Sequence, residues 1–126
     1  MATMTRSTAL KIAATLSVVV AIIGIAMFDL PNLTLGAQHS RDPFAIVLGS
    51  FASDILALVA AYGAWRTQKW GAVLLVGVNM FWLVQAIGSL LLDTSLGETV
   101  FASVMLVHHL VVITLCLWRE RVASAV

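Results

Sequence analysis

The chain is 126 residues long, 61% hydrophobic and only 10% charged, with a mean hydropathy of +1.04 and a net charge of +1. Seven basic and six acidic residues are too few to clothe a soluble domain of this size, and so even a balance offers nucleic acid no concentrated basic face. Cys116 is the single cysteine, which excludes an intrachain disulfide, CxxC redox chemistry and a thiolate zinc centre. This is the composition of an integral membrane protein.

Crossing roughly 30 Å of hydrocarbon takes about 20 apolar residues, and four stretches meet that length. The first covers 12–30 and is expected to stop at Pro31, which cannot continue a helix. Arg6 and Lys11 give it a basic start, but the apolar run is long and no A-x-A cleavage site follows, so it reads as a retained helix. The second covers 43–65, with Asp42 as its expected N-cap and Pro43 at the favoured first position. The third covers 70–92. The fourth covers 96–118, and Ser95-Leu-Gly-Glu98 before it has the pattern of a capping box. The expected fold is all-α: one domain over 1–126, an integral membrane bundle of four transmembrane helices.

Loop charge predicts the orientation. With the N-terminus inside, Arg6, Lys11, Arg66, Lys69, Arg119 and Arg121 fall on the cytoplasmic side and only Arg41 lies outside, six of the seven basic residues. Trp65, Trp70 and Trp118 fall at the same boundary, where indole rings favour the headgroup level. Both signals predict N-in/C-in. The short connections at 66–69 and 93–95 make their flanking helices antiparallel neighbours, and 31–42 is the longest loop. Asn32-Leu33-Thr34 matches a glycosylation sequon, but it abuts the membrane, and Arg119-Glu-Arg121 reads as a solvated helix end.

Helices in lipid approach closely where small residues line up. Gly49, Ser53, Ala57 and Ala61 form one such ridge on the second span, and Ala13, Ser17, Ala21 and Gly24 form another on the first. Packing of one ridge on the other is the favoured reading, and docking to a partner subunit is the second.

Ionisable groups inside a membrane are costly and therefore informative. Asp54 is eleven residues into the second span from the outer side. His108 and His109 are twelve and thirteen residues past Leu96, and Asn79 is nine past Trp70. At about 1.5 Å of rise per residue, all four reach the midplane, with Gln85 about two turns further out. An Asp54–histidine pair near Asn79 is suited to a proton relay, a ligand site or a coupling-ion site, while simple interhelical hydrogen bonding is an equally good account. Neighbouring residues on a helix diverge by about 100°, so His108 and His109 face different directions. Phe81 and Trp82 read as packing or lipid contacts.

No cofactor is assigned. His39 lies in the outer loop, so the midplane pair cannot form a bis-histidine haem site across two helices; single ligation of haem or chlorophyll by His108 or His109 is the remaining cofactor reading. Asp54 and one histidine are too few for a metal centre. No H-E-x-x-H, nucleophile elbow or phosphate loop is present, so the chain is not expected to be an enzyme. The four-span layout, with Trp65-Arg66 and Lys69-Trp70-Gly71 at a tight inner turn, resembles the DoxX-like small membrane proteins, and that likeness carries no site residue onto this chain.

Two functions fit. The first is a non-catalytic accessory subunit of a larger, energy-transducing membrane complex. It would dock to lipid and to other subunits, or to further copies of itself, through its ridges. The second is a self-contained carrier coupled to ions or protons through Asp54, Asn79, His108 and His109. The helices lack internal proline and the halves show no inverted repeat, which favours the accessory reading. Short loops and the positive-inside pattern suit a bacterial plasma membrane.

Overall fold

A computed structural model describes residues 4–35, 44–92 and 95–118, and every element within them is helical. Helix α1, Arg6–Gly24, starts earlier than the apolar run because Thr5 caps it: its hydroxyl accepts the Thr8 N–H at 3.2 Å. The first span also does not stop at Pro31. A π-helical segment, Ile25–Asp29, leads into α2, Leu30–Leu35, and with α1 they form one continuous helix, of which the 29 residues Arg6–Thr34 are long and apolar enough to cross a membrane. A proline inside a regular α-helix presses its ring on the carbonyl four residues back, here that of Met27. In the wider π turn the Leu30 N–H reaches back five residues to the Ile25 carbonyl, which loosens the backbone at that point and lets the helix carry the proline.

The second span is α3, Phe44–Trp65, and the third is α4, Lys69–Leu92. The expected cap at Asp42 and Pro43 lies outside the described residues, as do His39, Arg41, Asp93, Arg119 and Arg121. Helix α5, Leu96–Cys116, begins on Ser95, whose Oγ accepts the Glu98 N–H at 3.2 Å and donates to Glu98 Oε2 at 2.9 Å. The helix ends two residues before the apolar run does, with Leu117 as its C-cap.

The turn between α3 and α4 is as tight as its three-residue length, 66–68, requires. Thr67 N–H donates to the Ala64 carbonyl and Gln68 N–H to that of Gly63, both at 2.9 Å, which is the paired closure of a Schellman motif. Its left-handed position is held by Thr67 at φ 58°, a conformation that a β-branched residue adopts at a cost. Just beyond, Gly71 crosses Gly63 so closely that a Cβ added at Gly71 would land on the backbone of Gly63 and Ala64.

The four spans form a square. Helix α1 packs on α3 and α5, and α4 packs on α3 and α5, while the diagonal pairs barely meet. The core is built mostly of small residues: Ala13 and Ala14 of α1 lie with Ala60, Ala61 and Ala64 of α3, joined by Leu75, Val112 and Cys116. A second cluster brings Ala21 against Ala57, Val78 and Trp82. Small side chains let these helices approach closely, so packing contacts do the work that water would otherwise do in driving association. Large apolar side chains such as Ile22, Met27, Leu91 and Phe101 point outward on all sides. All four helices are long and apolar enough to cross a membrane.

Candidate functional site

The polar side chains of the bundle fall in two tiers. The inner tier centres on Asn79, which is fully buried. Its Nδ2 donates to the Leu75 carbonyl at 2.9 Å and to Ser17 Oγ at 3.3 Å, and its Oδ1 lies 3.1 Å from His109 Nδ1. With the amide oriented by its two donor contacts, Oδ1 is the acceptor, so the histidine proton sits on Nδ1. The His109 ring also lies against Trp82, with centroids 5.4 Å apart, and Trp82 Nε1 donates to Ser53 Oγ at 3.0 Å. Ser53 in turn donates to the Ser50 carbonyl at 2.7 Å. The network ties α1, α3, α4 and α5 together, and each buried polar atom in it meets a partner of the right kind.

His108 faces elsewhere, as a 100° turn requires. It is half-buried beside the Leu16 backbone of α1, its ring edge-on to His109 at 5.3 Å, and its Nδ1 has no hydrogen-bond partner among the described residues. Gln85 is exposed on the outer surface.

Asp54 joins neither histidine. Its carboxyl packs against the backbone of Gly24, where an added methyl would sit 2.8 Å from Oδ2, and it comes within hydrogen-bonding reach of a second carboxyl, that of Asp29. Gly24 lies seven residues beyond Ser17, about 10 Å further from the basic end of the bundle. The pair forms the second tier, staggered outward along α1, while on α3 Asp54 directly follows Ser53 of the first.

Both carboxyls are buried, Asp29 completely and Asp54 to 4% exposure. Among the described residues, no donor reaches either oxygen of Asp29 or Oδ2 of Asp54. Ionised, the two groups would offer each other only acceptors, and two negative charges would face one another out of water. The arrangement is satisfied when one proton bridges them, the solution that paired carboxyls reach elsewhere. Asp29 escapes a reading of the sequence because it stands two residues before Pro31, where a helix end, and hence water, is expected. The clue is the apolar run on the far side of the proline, Leu33 and Leu35, which allows the helix to continue.

The small-residue ridges face inward. Ala57 and Ala61 are buried against α1, as are Ala13, Ser17 and Ala21 against α3 and its neighbours, while Gly49 lies away from any close contact. No group of three or more His, Cys, Asp or Glu side chains gathers at metal-binding distance among the described residues.

Comparison with protein-family models, with curated proteins and with solved structures finds no match to this chain.

Proposed function

We propose that this protein is a self-contained, proton-binding carrier of a bacterial plasma membrane, inserted N-in/C-in, with Asp29 and Asp54 as its proton site. The observation that carries this reading is the carboxyl pair itself. Two buried acids on different helices, three of whose four oxygens meet no donor among the described residues, have no evident packing role, because apolar or amide side chains would fill the space without the repulsion. Ionisable residues within a span mark proton and ion pathways as a rule, and π turns recur at functional sites. Gly24 leaves the room that Asp54 occupies, and the π segment sets the direction in which Asp29 points.

In this reading the pair takes up one proton when exposed to one side of the membrane and releases it when exposed to the other. Binding forms one O–H bond and removes one negative charge from the hydrocarbon. The inner tier, Ser17, Asn79 and His109, holds the helices in register around the pair.

The test is proton entry into liposomes containing the purified protein, driven by an imposed potential and read with an entrapped pH dye. Wild type is expected to acidify the lumen, with Asp54→Asn and Asp29→Asn each slowing it at least about tenfold, the effect of about 1.4 kcal/mol. Lys11→Gln, a surface change at the basic end, serves as the control. Wild-type flux no faster than that of empty liposomes, or full flux in both Asn variants, would end the proposal.

A further inference from the structure

One polar side chain of α4 is turned away from the bundle. Gln85 is exposed, about 120° around the helix from Asn79, and its amide makes no hydrogen bond among the described residues. It stands seven residues before Leu92, the last residue of α4, so it lies about 10 Å inside the nearer helix end at 1.5 Å per residue. A glutamine at that depth does not reach the headgroups. Exposed hydroxyls on the other spans bond within their own helix: Thr15 donates to the Lys11 carbonyl at 2.9 Å, Ser103 to that of Thr99 at 2.7 Å and Thr114 to that of Leu110 at 2.8 Å. The amide of Gln85 has two N–H donors and an oxygen to satisfy, and lipid tails offer it nothing. Ser89, one turn on, is exposed on the same face. Between them the surface is notched: a Cβ added at Gly88 would meet nothing within 4 Å, so packing inside the chain does not require this glycine as it requires Gly24, Gly63 and Gly71. Glycine weakens a helix relative to alanine, and on a lipid-facing surface it lets a neighbouring backbone come close.

We infer that the Gln85 face of α4 is the interface of a parallel homodimer. A two-fold axis along the membrane normal relates the copies, and each Gln85 Nε2 donates to the Oε1 of the partner subunit's Gln85. The amide selects this occupant, because it is its own complement, donor for acceptor. Two identical chains inserted the same way carry Gln85 at the same depth, and a two-fold axis sets the same patch of each against the other. Polar side chains that hydrogen-bond across helices, with small residues beside them, are what holds helices together in lipid. The inference rests on the membrane insertion proposed above and not on proton binding, since the carboxyl pair lies between the first span and α3.

The experiment measures dimerisation of the full-length protein by native mass spectrometry across a dilution series in detergent. Wild type is expected to dimerise, and Gln85→Leu to dimerise about tenfold more weakly, the loss of two interhelical hydrogen bonds. Gly88→Leu keeps the amide and fills the notch, so it should weaken the dimer by at least as much. Both positions face outward, so circular dichroism should show both variants as helical as wild type. In liposomes, with Cys116→Ala removing the single cysteine, Leu92→Cys should form a disulfide-linked dimer on oxidation. Met27→Cys should not, because Met27 is exposed on the first span, diagonally across the bundle from α4. Asp54→Asn should dimerise as wild type does. A monomeric wild type, undiminished dimerisation in both Gln85→Leu and Gly88→Leu, or equal cross-linking through positions 92 and 27 would overturn the interface and leave the proton site standing. Release of the protein from membranes by alkaline carbonate would overturn the insertion on which both depend.

Discussion

Asn79 uses both ends of its amide, and this makes it the residue on which the inner tier depends. Removing His109 leaves the Asn79 Oδ1 buried without a donor, and removing Asn79 strands both His109 Nδ1 and Ser17. Interhelical hydrogen bonds in membranes couple by about 0.6–2 kcal/mol. Single substitutions Asn79→Leu and His109→Phe should each destabilise the bundle, and the double variant should lose less than their sum by about 1 kcal/mol. Thermal unfolding in detergent, followed by circular dichroism, measures that cycle. A coupling of zero would mean that the 3.1 Å contact contributes no net stability. Asp29 and Asp54 differ in kind: two carboxyls in contact add no packing bond unless a proton is shared, which is why the proposed function rests on them and not on Asn79.

At the scale of elements, the first span and the α3–α4 turn carry the information that local rules miss. Pro31 ends a helix in water because nothing compensates its missing N–H, whereas here the π segment changes the hydrogen-bond reach one turn earlier and the helix goes on. The α3–α4 turn makes two substitutions act in opposite directions. Thr67 sits at φ 58°, so Thr67→Gly should stabilise the protein by about 1 kcal/mol, the relief of a left-handed β-branched residue. Gly71→Ala places a methyl on the Gly63–Ala64 backbone, so it should force α3 and α4 apart and lower the melting temperature sharply. A thermal melt of both variants checks the pair. A destabilised Thr67→Gly would show that the 2.7 Å hydrogen bond from Thr67 Oγ1 to the Arg66 carbonyl outweighs the backbone cost.

For the whole molecule, the four spans close on themselves. Arg6 binds the end of α5 and Trp118 Nε1 donates to the Met4 carbonyl at 2.9 Å, so the first and last helices are joined at the basic end. With both ridges turned inward, the surface left for other molecules beyond the Gln85 face is the large apolar side chains that lipid also accepts. The accessory-subunit proposal therefore has fewer supporting features than the carrier proposal. Native mass spectrometry of the particle, gently extracted from its own membrane, separates them: a monomer or small homo-oligomer is expected. A heteromeric mass would move the weight to the accessory role and make the carboxyl pair a contact for that complex.

Hydropathy and length alone determined that there are four helices able to cross a membrane, near 12–30, 43–65, 70–92 and 96–118, because the need to bury about 20 apolar residues per crossing is a property of composition. The cap at Ser95 and the polar identity of Asp54, Asn79, His108 and His109 were also legible, since each is a local or single-residue signal. Which polar groups meet was decided only by the tertiary structure. Asn79 with His109 and Ser17, and Asp54 with Asp29, depend on helix rotation and depth, and a single π turn re-aims everything beyond it. Spacing along a chain measures distance along one helix. Partnership across helices is set by how their small-residue faces pack.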